Sequence, residues 1–195
     1  MNTGSLMITF VIGGIMLISI LAFNVQVMNN SQEVTLNTLL QSNLDNLVEI
    51  LENDFNRIGF NSGTAQPFKA KGTQNVIFQS DVYEDDTFPS MDIRWYFDTS
   101  DPVSNTSNPN DYYLKRRGPI GTSTFGTLEF PVVYFYMNYY TSSGSTAMDM
   151  ASISKIEVEI MVESGEGFST GNGNKEYPRL VWKRVFVPNN INLPY

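Results

Sequence analysis

The stretch LMITFVIGGIMLISILAFNVQVM, residues 6 to 28, decides the fold of this chain. Its first 18 residues are interrupted only by small or weakly polar ones: Thr9, Gly13, Gly14 and Ser19. At ~1.5 Å per residue a helix of this length spans ~27 Å, which is close to the ~30 Å hydrocarbon core of a bilayer. No charged side chain occurs before Glu33. The stretch therefore predicts a helix that is surrounded by lipid or by apolar helices of neighbouring chains.

We expect the contacts of this helix to be made by its apolar side chains and its two glycines: Leu6, Ile8, Phe10, Val11, Ile12, Gly13, Gly14, Ile15, Leu17, Ile18, Leu21 and Phe23. The glycine pair permits close helix packing or a local break, and plain tolerance in a membrane helix is an equal alternative. A cleaved signal peptide is a competing interpretation. It is disfavoured because no Lys or Arg precedes the apolar run, and residues 21–24 form a poor cleavage site. Without flanking basic residues, the orientation in a membrane is not predicted.

The helix is expected to continue well beyond the apolar stretch. From Leu40 onward the apolar residues recur mostly at steps of three or four, which is typical of an amphipathic helix. The apolar positions between 29 and 60 are Val34, Leu36, Leu39, Leu40, Leu44, Leu47, Val48, Leu51, Phe55 and Ile58. Gly59 follows where a left-handed C-terminal cap belongs, and no Pro occurs in residues 1–66. The simplest prediction is one helix of about 55 residues and ~80 Å, in which residues 1–28 are apolar all round and 29–60 are amphipathic.

Composition excludes several functional classes. The 195 residues carry a net charge of −8, and their short basic clusters are too small for a nucleic-acid-binding face. The chain has no Cys and no His, which removes thiol chemistry, the commonest general base and the commonest transition-metal ligand. No carboxylate pair stands out as an acid/base couple. We therefore expect a protein that is not an enzyme and that has no cofactor. A hydrolase that uses only carboxylates is an alternative.

Residues 61–195 change to the alternating pattern of strands and are predicted to form a separate β-rich domain. Six strands are expected, within residues 76–78, 91–97, 112–115, 128–140, 153–162 and 180–187. Residues 98–111 and 165–175 are expected to be loops, since they are rich in Ser, Asn and Gly. Hairpin-like spacing favours a mostly antiparallel sheet. The predicted fold class is α+β, with the long N-terminal helix packed on the sheet of the globular domain.

The order of these features resembles the type IV pilin-like family, most closely the W-type minor pilins and pseudopilin J of type II secretion. The resemblance rests on four segments that cover nearly the whole chain: the helix end at 51–60 with its Arg-x-Gly-Phe, the strand end Tyr139-Tyr140, the alternating strand 153–160, and the ending 182–190. The Gly-Phe-Thr-Leu-Ile-Glu processing signature of that family is absent, as is its Glu near the start of the helix. The resemblance implies a pilin-like fold and assembly through the helix.

Two other kinds of residue group are candidate binding sites, one acidic and one aromatic. Asp81, Glu84, Asp85 and Asp86 offer oxygen ligands of the kind calcium prefers, and Asp98 with Asp101 offers a second group. Neither has the EF-hand spacing, so solvated acidic loops are the favoured interpretation. Five aromatic residues between 134 and 140 permit base or sugar stacking, but alternation on a strand favours a core with a half-exposed face.

The function expected from the sequence is that of a structural subunit of an extracellular or periplasmic type IV pilus-like filament. Its partners would be copies of itself or other pilin-like subunits, and the membrane through residues 6–28 before assembly, with no nucleic acid. The expected localisation is the cell envelope, followed by the filament. The alternative is a single-pass membrane-anchored binding module outside the cytoplasm.

Overall fold

The computed structural model describes residues 3–81, 91–120, 124–169 and 174–191. Helix α1, Thr3–Asn56, has 54 residues and corresponds to ~80 Å of continuous helix, as the sequence predicts. It runs without a break through Gly13 and Gly14, so of the alternatives given for this glycine pair a local break does not occur. A short turn follows, in which Gly59 adopts φ +80°, the left-handed conformation expected of a cap.

Ten strands follow within the described residues. Their bounds are β1 Phe68–Lys71, β2 Asn75–Ser80, β3 Met91–Pro102, β4 Tyr112–Ile120, β5 Thr124–Val132, β6 Tyr134–Tyr140, β7 Lys155–Glu163, β8 Phe168–Ser169, β9 Lys175–Glu176 and β10 Arg179–Phe186. The first five form one sheet in sequence order, and a second sheet has the order β10-β7-β6. Strands β8 and β9 form a small two-stranded sheet.

All pairings between these strands are antiparallel. The fold class is therefore α+β, one long helix packed on mostly antiparallel sheet, and this prediction is confirmed. The helix contacts the second sheet through β7 and β10 and also lies against β8. Every second residue of β2 and β7 is buried, because successive side chains of a strand point to opposite faces of its sheet and one face lies against the core.

The core forms where the second half of α1 meets the inner faces of both sheets. Each helix residue of the buried stripe is at most 5% exposed: Leu40, Leu44, Leu47, Leu51 and Phe55. Phe55 packs edge-on against Phe78 of β2 at 5.7 Å and at 5.2 Å from Phe186 of β10, so one helix residue joins the two sheets. Burying side chains of this size stabilises the fold by about 1.5–3 kcal/mol each.

The strand boundaries differ from the prediction at several points. Strands β1, β8 and β9 were not predicted, and β3 extends through part of the expected loop. Strand β4 continues beyond its expected end at residue 115 and includes Gly118 and Pro119. Proline is tolerated at position 119 because β3 pairs with β4 only as far as Arg117. Pro119 therefore has no residue of β3 opposite it to which a backbone N–H would donate. The expected single strand 128–140 is two strands, because the chain leaves the first sheet at Val132 and joins the second at Tyr134.

Candidate assembly surface

The first half of α1 stands clear of the rest of the molecule. Sixteen large apolar side chains between Leu6 and Met28 are 48–84% exposed, with Phe10 the most exposed. These side chains point in every direction around the helix, since every described residue up to Thr35 is exposed. A single groove on a partner would cover only one side. The segment therefore requires an apolar environment that encloses it completely.

The few polar groups of this segment are already satisfied within it. Thr9 Oγ1 donates to the carbonyl of Ser5 and Ser19 Oγ donates to that of Ile15, both at 2.9 Å. Such bonds to the preceding turn remove the need of a hydroxyl for water in an apolar environment. A Cβ added at Gly13 or Gly14 would meet nothing within 4 Å, so another helix could approach the backbone there.

Length and composition make α1 able to cross a membrane, and it is the one helix in the described ranges that meets this test. None of its most apolar 18-residue window is buried inside the molecule. A soluble core helix would be mostly buried. The helix can thus act as a membrane anchor or as a signal segment.

The second half of α1 is fastened to the first sheet by a buried ion pair. Asp54 is 1% exposed and accepts hydrogen bonds from Arg116 Nε at 2.6 Å and Nη2 at 2.9 Å. The indole Nε1 of Trp95 donates to the same carboxylate at 2.8 Å, and Arg116 Nη1 donates to the carbonyl of Pro119 at 2.8 Å. Trp95 and Arg116 are directly paired residues of β3 and β4, so one cross-strand pair holds the helix carboxylate.

Further contacts hold the end of the helix. Ser80 Oγ donates to the carbonyl of Arg57 at 2.8 Å, and the backbone N–H of Gly59 donates to the carbonyl of Gln79 at 2.9 Å. On the second sheet, Arg184 of β10 forms an ion pair with Glu52. The exposed half of the helix is therefore a rigid extension of a globular body rather than a tethered segment.

Asp54 and Arg116 were not predicted as partners, although each carries a signal in the sequence. Asp54 lies three residues after Leu51 and so falls on the apolar stripe, where a carboxylate requires a buried partner. Arg116 occupies an inward position of β4 between two exposed or half-buried basic residues. A charge on each of two apolar faces is the pattern that predicts such a pair.

Of the acidic residues that are candidate calcium ligands, the structure describes Asp81, Asp98 and Asp101. Asp81 is 2% exposed and accepts a hydrogen bond from Asn61 Nδ2 at 2.9 Å, whereas residues 84–86 lie outside the described residues. Asp101 and Asp98 lie 2.6 Å and 3.7 Å from Lys115 Nζ. Hydrogen bonds from Ser100 lower the pKa of Asp98. No group of three or more acidic side chains able to hold a metal occurs within the described ranges.

Strand β6, which is rich in aromatic residues, has one buried face and one half-exposed face, as its sequence predicts. Phe135 and Tyr139 are buried, while Tyr134 and Tyr136 are half-buried and stack on each other at 6.1 Å. Burial raises the pKa of Tyr139, and its hydroxyl donates to the carbonyl of Gly72 at 2.9 Å. These residues form a core and a half-exposed face.

Comparison of the chain with protein-family models, with curated proteins and with solved structures gave no match.

Proposed function

We propose that this chain is a structural subunit of a type IV pilus-like filament, assembled through its N-terminal helix, with the β-rich domain displayed outward. The observation that supports the proposal is the complete exposure of an uncharged apolar helix segment whose continuation is rigidly fastened in the globular domain. Lipid can enclose the segment before assembly, and the same segments of neighbouring copies can enclose it afterwards.

The energetics favour burial of this segment strongly. Fully burying an apolar side chain contributes about 1.5–3 kcal/mol, and the sixteen large apolar side chains are roughly 60% exposed. Enclosing them all would contribute on the order of 20 kcal/mol. This contribution comes from removing the segment from water, so it applies equally to lipid and to neighbouring copies, and helix packing must favour the second over the first. Neither step needs a charge pair, in line with the lack of charged residues in the first 32 positions.

Electron microscopy of the full-length chain, compared with a chain that begins at residue 29, tests the proposal. The full-length chain should form helical fibres once detergent is removed. The shortened chain should remain a soluble, folded monomer, because the buried part of the helix begins only at Leu40. Fibres formed by the shortened chain, or none formed by the full-length chain, would contradict the proposal.

A glycine substitution separates filament assembly from membrane anchoring. Gly14→Leu adds bulk where the monomer has open space, so the fold and membrane association should be unchanged. Close packing of neighbouring helices should be blocked, and fibres should be lost. Val25→Leu, which barely alters bulk, is the control and should still assemble. Equal fibre yields from the two variants would exclude close packing at Gly14.

The second candidate is a single-pass membrane-anchored binding module. It is favoured by a cavity of about 470 Å³ between the helix and the β-rich domain. A full-length chain that stays monomeric in membranes and never forms fibres would support this function over the first.

A further inference from the structure

A cavity opens beside the start of the packed half of α1. Its volume is about 470 Å³, and its apolar wall is formed by helix residues and by residues of β5 and β7: Leu36, Leu39, Leu40, Leu47, Phe130 and Val162. The size suits a small organic molecule rather than a single ion.

The polar part of this cavity is acidic. Asp111, Glu129, Glu163 and Glu166 line it, and none of the lining residues is a Lys or an Arg. A cavity that combines an apolar wall with carboxylates of one sign favours a ligand that is apolar and positively charged.

Three of the four carboxylates already have partners. Glu163 accepts hydrogen bonds from Arg179 Nε at 2.9 Å and Asn108 Nδ2 at 3.0 Å. Burial, the largest influence, raises the pKa of Glu163, but the hydrogen bonds from Asn108, Asn110 and Arg179 outweigh it, and the pKa is lowered overall. Glu129 lies 3.6 Å from Lys115 Nζ, and Glu166 accepts a hydrogen bond from Ser107 Oγ at 2.8 Å.

Asp111 is the exception. It is 1% exposed, and neither carboxylate oxygen has a hydrogen-bond partner among the described residues. The Oγ1 of Thr106, which also lines the cavity, is likewise buried without a partner there. Burial raises the pKa of Asp111. The Thr106 hydroxyl lowers it in part, although its geometry is not that of a full hydrogen bond, and the charge of Glu163 raises it further.

A buried acceptor with no donor destabilises a protein and calls for a physical reason. A metal ion is not a suitable occupant, because the carboxylates of the described residues do not converge in any group of three or more. We propose that this cavity binds a small organic cation, an alkylammonium group on an apolar stem, whose N–H groups donate to Asp111 while the stem lies against the leucines of α1. The site is independent of filament assembly.

The test is a titration of the full-length chain, in nonionic detergent, with n-butylammonium. The thermal unfolding midpoint is measured at each concentration. The cation should raise the midpoint in a saturable manner, and n-butanol, which has the same stem without the charge, should not. Calcium chloride is the third arm. A rise with calcium but not with n-butylammonium, or equal rises with n-butylammonium and n-butanol, would overturn the proposal.

Two variants identify the group responsible. Asp111→Asn should weaken n-butylammonium binding roughly tenfold or more, because a charge-assisted hydrogen bond is lost. Glu166→Gln removes the same charge from the same cavity and should weaken binding less than about threefold, because this exposed carboxylate is well solvated. Asp111→Asn should also be at least as stable as the natural chain when no ligand is present, so loss of binding is not explained by unfolding. Equal weakening in both variants would refute a specific role for Asp111.

Discussion

Replacing Asp54 by Ala should be among the most destabilising single changes in the globular domain. The change leaves the guanidinium of Arg116, a residue 4% exposed, without its carboxylate and leaves the indole N–H of Trp95 without its acceptor. Breaking a buried ion pair from one side costs about 3–5 kcal/mol, and an orphaned N–H adds about 1 kcal/mol or more. The expected loss of about 4–6 kcal/mol is a large part of the ~5–15 kcal/mol by which domains are usually stable.

Urea unfolding followed by far-ultraviolet circular dichroism measures this loss. The control is the exposed pair Lys69–Asp92, which has an N–O distance of 2.6 Å like the buried pair but whose side chains are 46% and 45% exposed. Removing Asp92 should cost less than about 1 kcal/mol. The double variant Asp54→Leu with Arg116→Met should lose much less than Asp54→Ala, because no charge remains buried alone. A loss for Asp54→Ala no larger than that for Asp92→Ala would refute the reasoning.

The remaining predictions concern the buried leucines of α1, the glycine cap that ends it and the loss of stability at low pH. Leu47→Ala should cost about 2–5 kcal/mol in urea unfolding, whereas Leu39→Ala, at a residue 57% exposed, should stay within about 0.5 kcal/mol. Gly59→Ala should lower the unfolding temperature more than Gly63→Ala. Both glycines have positive φ, but only at the first would a Cβ lie 2.6 Å from a backbone oxygen. Because the folded pKa of Glu163 is lowered, its stabilisation is present above its usual pKa of 4.5 and is lost as the pH falls through the folded pKa. The stability difference between the natural chain and Glu163→Gln should therefore shrink only on acidification, and a difference that is the same at every pH would contradict this.

The long helix was predictable because its signals are local and repeated. An uncharged run, a change to steps of three and four, and Gly59 after Ile58 give a length of about 55 residues, against 54 in the structure. The packed stripe begins at Leu40, from which the steps of three and four were predicted. Val34 and Leu39 are apolar but lie before this regular spacing, and they are 65% and 57% exposed because the globular domain reaches the helix only near Leu40.

The division into two sheets was not predictable from local pattern. Residues 128–140 form one apolar, aromatic-rich run interrupted only by Glu129 and Asn138, and only the pairing with β4 on one side of Val133 and with β7 on the other separates the two strands. The same holds for the cavity. Asp111 lies in a segment that reads as a polar loop, and its burial arises from the packing of that segment near Gly165, where a Cβ would lie 3.8 Å from Oδ2 of Asp111. Such long-range contacts leave no periodic trace in a single sequence.

Because α1 is continuous, its exposed half is held in a fixed position relative to the globular domain. Between Leu6–Met28 and the first buried residue, Leu40, the helix crosses eleven residues that are exposed apart from the half-buried Leu36. The hydroxyls of Thr35 and Thr38 in this section bond back to the carbonyls of the preceding turn. This section spans ~16 Å, and no Gly or Pro occurs from Ile15 to Ile58, so it holds the globular domain away from the apolar segment without a hinge. Because the domain cannot rotate freely about the helix, contacts that fix residues 6–28 among neighbouring copies in the proposed filament would also fix the direction in which each domain faces. That is the condition under which identical chains add in a regular helical array rather than as an irregular cluster.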